Sequence, residues 1–315
     1  MSRPGWTVLL LAGQRPGVDP LAQAFGEQWK ALIRIDGEAM LSRVAKTLLA
    51  SPSVARVVVV AQQPEILFIG DCAWLANEPR VGTAISTSGI AVSVAALAGT
   101  EVAPWPVLVT TADHPLLTPA MIETAIAGVG DADVGVAVVS SRTLLAVYPE
   151  NRRTWLKFAG GHWTGANLFA LASEKAMPAL LAWSEVERDR KKALKLIWHF
   201  GPMLAIRAVT RTITLAGALA RAGRKLGARV VPIDLPFAEA GIDVDKPSDH
   251  ALAEAILRSS PERGGGPSRS DGGGARDQQA TNQMAAKGGP APPPPSAAVP
   301  LPVPGRNWVV LLHYR

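Results

Sequence analysis

Residues 107–119 read VLVTTADHPLLTP. Val107, Leu108 and Val109 are β-formers that run into Thr110 and Thr111, the pattern of a short buried strand. The run closes on one acid, Asp113, and Pro115 then forbids any continuation of the ladder. A lone carboxylate in that place has two readings. It is a turn residue, or it is a metal ligand held at the C-terminal edge of a parallel sheet.

The flanking sequence has to choose between them. Buried strand-like runs recur at TVLLLAG (7–13), ARVVVVAQ (55–62) and DVGVAVVS (133–140), and helical spacing fills the gaps at 39–51, 87–99 and 118–129. The last of these opens with an N-cap threonine, Thr118, and a proline at the first helical position. This alternation of continuous β-branched strands with helices predicts a parallel sheet covered on both faces. In such sheets ligands bind beyond the carboxyl ends of the strands, where Gly13 and Asp113 both fall. After residue 160 the pattern changes. GHWTGANLFALA (161–172) is a strand or a strand followed by helix, 173–228 is mostly helical, ARVVPIDL (228–235) is a strand, and GIDVDKPSDHALAEAIL (241–257) ends in an amphipathic helix.

Composition bounds the remainder. The chain has 315 residues, 48% of them hydrophobic, enough for a sizeable core. From about Ser259 to Gly305 it is built of Gly, Pro, Ala, Ser and Gln, which cannot bury enough surface to order itself. The expected division is therefore a domain over 1–258 and a disordered Gly/Pro-rich tail over 259–315. The single cysteine, Cys72, excludes an internal disulfide framework and a cysteine-rich zinc site. The apolar run near the N-terminus is too short for a secretory core, and no segment reaches the about eighteen apolar residues of a membrane span, so a cytoplasmic protein is expected. The net charge is +6, and Arg188 to Arg229 holds eleven Lys and Arg against one acid, Asp189. A solvated helix face explains this excess, as does peripheral contact with an anionic membrane through 188–211. No nucleic-acid recognition motif accompanies the charge, and none is expected to be bound.

Three stretches carry candidate chemistry. LAGQRPG (11–17) follows the first strand, and glycines there let backbone N–H groups close around phosphate oxygens, with Arg15 adding fixed charge. A tight turn is the plainer reading. Lys30, in WKALIRIDGEAML, either reaches back to those phosphates or lies on the surface. In GIDVDKPSDH, Asp243 and Asp245 alternate along an extended segment and share a face, which is costly unless a cation neutralises them.

Taken in order, LAG–x–R–x–G, WKALIRIDG, TTADHPLLTP, TGANLF and GIDVDKPSDHALAE resemble the MobA-like NTP transferases, over roughly residues 5–257. That group takes in the molybdenum-cofactor nucleotidyltransferases and is related to the sugar-phosphate and methylerythritol-phosphate nucleotidyltransferases. The resemblance implies a Rossmann-like three-layer α/β/α fold with a mostly parallel sheet, and a Mg²⁺-dependent transfer of NMP from an NTP to a phosphorylated small-molecule acceptor with release of pyrophosphate. It places Ala12, Gly13, Arg15 and Gly17 around the NTP phosphates, with Lys30 neutralising them. Asp113 would hold magnesium, with Asp243 as second ligand and Asp245 as its substitute. Ser86 and Ser88, in GTAISTSG (82–89), would lie against the base, and Gly165 and Asn167 would line the acceptor side.

The chain departs from the pattern in three places. Gln14 stands where the family often has a second glycine, VDPLAQAFGEQW lengthens the loop between Arg15 and Lys30, and a basic helical insertion occupies about 185–227. Two rivals remain at this level. A nucleotide-sugar glycosyltransferase would also end a strand on a metal acid, though with a second acid that TADHP lacks. A non-catalytic nucleotide-binding protein of the same fold would tolerate the altered loop.

Overall fold

Strand β1 (Trp6–Leu11) lies at the centre of the sheet, flanked by two parallel neighbours whose carboxyl ends point the same way: β4 (Val54–Ala61) and β6 (Val107–Thr111). The computed structural model describes residues 5–14, 17–86, 89–188, 207 and 210–259. The sheet order is β10-β7-β9-β6-β1-β4-β5, completed by β5 (Val81–Ile85), β7 (Val134–Ser140), β9 (Gly161–Leu171) and β10 (Val230–Asp234). A short β8 (Leu156–Phe158) pairs with β9, and β2 (Arg34–Ile35) and β3 (Glu38–Ala39) form a separate two-stranded ribbon.

Side-chain alternation along β1 builds the layers. Val8 and Leu10 face one core, together with helices α2 (Met40–Ala50) and α4 (Pro119–Val129). Leu9 faces the other, with α3 (Ile90–Leu97) and α6 (Met177–Arg188). Both faces of the strands are covered, which is why they read as continuous apolar runs. The remaining helices are α1 (Pro20–Ala24), α5 (Ser141–Val147), α7 (Leu215–Lys225) and α8 (Pro247–Ser259). The result is the expected three-layer α/β/α arrangement around a mostly parallel sheet.

The structure adds one strand that the sequence pattern missed and settles one alternative that it left open. VGTAI forms an edge strand, β5, parallel to β4, where only a loop toward the base was expected. It is short and half-exposed, so it lacks the apolar signature of the buried strands. GHWTGANLFAL is a strand throughout, and it runs antiparallel between β6 and β7. Its alternating burial is what an antiparallel strand with one wet face shows at the sequence level. The tail beyond residue 259 and the centre of the basic insertion (189–206, 208–209), with most of the 188–211 stretch expected to meet a membrane, lie outside the described residues. Among those described, no helix is long and apolar enough to cross a membrane.

One side chain ties α4 to the turn between α2 and β4. Glu123 on α4 accepts hydrogen bonds from Ser51 Oγ and from Ser53 N (3.1 Å) and Ser53 Oγ (2.6 Å), pinning the α2–β4 turn. Burial opposes its charge, but these donors outweigh burial and hold the carboxyl below the usual range. A depressed carboxyl contributes stability above its unfolded-state pKa and loses it as pH falls through the folded one. Glu123→Gln should therefore cost on the order of 1 kcal/mol near neutrality. The difference from the parent should vanish toward about pH 3 in denaturant melts across pH.

Candidate active site

At the carboxyl edge of the sheet, the β1–β6 ladder extends one step past the strands through Ala112 N to Leu11 O, 2.9 Å. Asp113 follows. The turn behind it is anchored inward by His114, Leu116 and Leu117, all buried. The second acidic segment docks by its backbone, Val244 N donating to Asp113 O at 2.9 Å. With Ile242 and Val244 fully buried, Asp243 and Asp245 take the opposite face, as their alternation predicts. A small apolar cluster under this edge joins Leu21, Ile33, Leu116, Ile242 and Val244, gathering the chain segments that carry the polar groups above.

Lys30 opens a 3-10 turn (Lys30–Leu32) and is not a surface lysine. Its Nζ donates to Asp113 Oδ2 at 2.6 Å and to Asp245 Oδ1 at 2.8 Å, bridging residues 83 and 215 positions away. Burial alone would lower the Lys30 pKa, but the two carboxylates outweigh it and push it well above the ordinary range. Asp245 moves the other way from a usual ion-paired acid. Burial, then the neighbouring Asp243 and Asp113, raise its pKa against the pull of Lys30. One oxygen on each acid, Asp113 Oδ1 and Asp245 Oδ2, is buried with no hydrogen-bond partner.

Asp243 sits one step away in a different network. Its Oδ1 accepts from Arg153 Nη1, its backbone carbonyl from Arg153 Nη2 (3.1 Å), and its Oδ2 from Asn167 Nδ2 (3.3 Å). Arg153 is 2% exposed and also approaches Asp249 at 3.8 Å. Asn167 reaches this point because β9 is irregular there. The register slips between Val136 and Val138 of β7, β9 pairs with β6 only as far as Val109, and Asn167 adopts φ +50°. Such a bulge re-aims a side chain out of the ladder. Gly165, two residues before Asn167, faces open space. The His114 ring is buried beside Asp243 and Asp113. Burial lowers its pKa, and although the Glu239 backbone lies close, neither ring nitrogen completes a hydrogen bond.

The loop after β1 closes the arrangement. Ala12 N donates to Val60 O (2.9 Å), and Gly13 packs so tightly that an added Cβ would lie 2.9 Å from Gln62 Oε1. Gly17 adopts φ +102°, a conformation suited to glycine. Ser86 belongs to the next loop, its Oγ 2.8 Å from Ser93 Oγ. Glu187, at the end of α6, accepts from Ile90 N and Ala91 N at 2.8 Å each and so caps α3 beside that loop. Arg15 and Ser88 lie outside the described residues.

The sheet edge thus brings Lys30, Asp113 and Asp245 into direct contact, with Asp243, Asn167 and the Ala12–Gly13 backbone around them. Sequence reasoning missed Arg153, which has no local signature. It took Asp243 as the second metal ligand beside Asp113, with Asp245 as its substitute; in the structure Asp245 shares the Lys30 ammonium with Asp113, and Asp243 pairs with Arg153.

The sequence model of the MobA-like NTP transferase domain matches residues 8–199, more than half of the chain. The chain belongs to this family. The matched range ends before Asp243 and Asp245, so the last acidic segment enters through the fold. No curated protein sequence matches. Among solved structures, a hypothetical transferase from Thermus thermophilus is 27% identical, with a TM-score of 0.65 over 78% of this chain and 99% of that one. The family fold is shared more distantly by a CMP:2-keto-3-deoxy-manno-octonic acid synthetase complexed with CTP (15% identity, TM-score 0.51, 81% of this chain and 99% of that one). A 4-diphosphocytidyl-2C-methyl-D-erythritol synthase has 17% identity and a TM-score of 0.50, over 81% of this chain and 100% of that one.

Removing Arg153 leaves the Asp243 carboxylate partly buried without its cation. Arg153→Met should destabilise the protein by about 3 kcal/mol, read from chemical denaturation. Asp243→Asn in the same background should recover part of that loss.

Proposed function

We propose that this protein is a Mg²⁺-dependent nucleotidyltransferase that moves an NMP from an NTP to a phosphorylated small-molecule acceptor and releases pyrophosphate. The observation that carries the reading is the Lys30 ammonium held between Asp113 and Asp245 at the sheet edge, next to the glycine loop after β1. A cation so placed is available to triphosphate oxygens, which compete with the two carboxylates for it.

Charge also favours a metal. Among the described residues, Asp113, Asp243, Asp245 and Asp249 stand against Lys30 and Arg153. An edge with that excess of negative charge repels a bare polyphosphate and accepts one that brings a cation. The unpartnered Asp113 Oδ1 and Asp245 Oδ2 fit that cation, and both would hold it. Two carboxylates rather than a full protein cage are what magnesium shared with phosphates uses. Among the described residues no group of three or more His, Cys, Asp or Glu is arranged to hold a metal by itself. Bound there, Mg²⁺ supplies positive charge to the phosphates as negative charge builds on the leaving pyrophosphate.

The protein's own groups do the rest. The Ala12–Gly13 backbone and Arg15 cradle phosphates, Lys30 neutralises them, and the Ser86–Ser88 loop lies against the base. Gly165 leaves room for the acceptor and Asn167 orients it, with Arg153 fixing Asp243 behind. The acceptor phosphate is already ionised near neutral pH, so positioning and charge neutralisation suffice without a dedicated base.

The test is pyrophosphate release with Mg²⁺, each of the four NTPs and a panel of phosphorylated acceptors. The expected result is release that needs one NTP and one acceptor. Asp113→Asn and Asp245→Asn should each lower kcat by about a hundredfold or more. EDTA should weaken NTP binding as well as stop turnover. Tight NTP binding in EDTA, or full activity in either variant, would refute this reading.

A further inference from the structure

The thirteen residues between Gly17 and Trp29, inclusive, carry the chain from the glycine loop to Lys30, and their only helix is the five-residue α1. Asp19 caps that helix through Leu21 N and Ala22 N at 2.9 Å each, and Leu21 and Ala22 are buried below. This anchors the middle of the segment. Its far end, which carries Lys30, joins no sheet and is secured differently.

Two glutamine side chains secure it. Gln62, just past β4, pairs with both backbone groups of Gln14, its Oε1 accepting from Gln14 N (3.2 Å) and its Nε2 donating to Gln14 O (2.8 Å). Gln14 then repeats the arrangement one step on. Its Nε2 donates to Gln28 O (3.1 Å) and its Oε1 accepts from Lys30 N (3.2 Å). Donating to residue 28 and accepting from residue 30 is what the backbone N–H and C=O of a single residue in a neighbouring parallel strand do across residue 29, and Trp29 is extended at φ −123°, ψ 128°. The side-chain amide of Gln14 therefore serves as one rung of a ladder that the backbone does not supply. Gly13 permits it, since a Cβ there would press on the Gln62 amide at 2.9 Å.

We infer that Gln14, braced by Gln62, is a positioning residue that docks the Lys30 segment onto the loop after β1, so that the ammonium meets Asp113, Asp245 and the nucleotide phosphates together. The inference rests on the nucleotidyltransferase reading. It gives position 14 a specific task in this chain: the side chain compensates for the long excursion that precedes Lys30.

The test uses the full chain with Gln14→Ala, Gln14→Glu and Gln62→Ala, each alone and with Lys30→Ala. Hydrogen exchange of the peptide spanning 27–33 is measured beside steady-state kinetics. Gln14→Ala should lower kcat/KM for the NTP by about tenfold or more while leaving the acceptor KM unchanged, and the Lys30 amide should exchange faster. Gln14→Glu keeps the acceptor for Lys30 N–H and should recover part of the rate. Gln62→Ala, further from Lys30, should show the same pattern more weakly. In the Lys30→Ala background, loss of Gln14 should cost nothing further. Unchanged exchange at 27–33, or an undiminished cost in the Lys30→Ala background, would overturn the proposal. If the parent protein releases no pyrophosphate with any substrate pair, the functional reading fails, and the exchange comparison alone decides for or against the clamp.

Discussion

An ammonium group held between two carboxylates at the rim of a sheet governs this structure. Asp113 and Asp245 approach each other on a partly buried edge, where two like charges cannot both remain ionised without a cation. Lys30 is that cation, 2.6 and 2.8 Å from them. The three residues come from separate parts of the chain, so their meeting depends on most of the architecture. The β1–β6 ladder delivers Asp113, the Val244–Asp113 backbone bond delivers Asp245, and the Gln14–Gln62 brace delivers Lys30.

The antiparallel strand β9 gives the site its second half. β9 enters between β6 and β7, pairs with β6 only as far as Val109, and bulges so that Asn167 turns toward Asp243. Arg153 is buried behind that contact and fixes Asp243. The Asp113–Asp245 pair and the Asn167 amide are thus set by different segments but share one cluster. Under the proposed transfer, this division suits two anionic substrates, each needing its own placement before they can react.

Much of this was legible in the sequence, for physical reasons that also explain what was not. β1, β4, β6 and β7 are buried on both faces and announce themselves as continuous apolar runs. β5 is an edge strand of five half-exposed residues, and α5 is a seven-residue helix directly after β7, so neither carries a periodic signal long enough to read. Lys30, Asp113 and the two later aspartates stood out as candidates because their motifs fall in family order. The order does not say which aspartate shares the Lys30 ammonium, because that depends on how residue 244 docks on residue 113. Arg153 was invisible: its partner is 90 residues away, and nothing local distinguishes it from Arg152. Gln14 was visible only as a departure from pattern, and its meaning appears once residues 28, 30 and 62 are seen around it.

In the proposed reaction, triphosphate and metal meet at the Lys30–Asp113–Asp245 cluster. The most direct measurement is a crystal structure with Mn²⁺ and a non-hydrolysable NTP analogue, the metal located by its anomalous signal. The expected result is a metal peak against Asp113 and Asp245, with Lys30 moved from the carboxylates onto the phosphates. A nucleotide and metal bound elsewhere, with the Lys30 bridge intact, would contradict it.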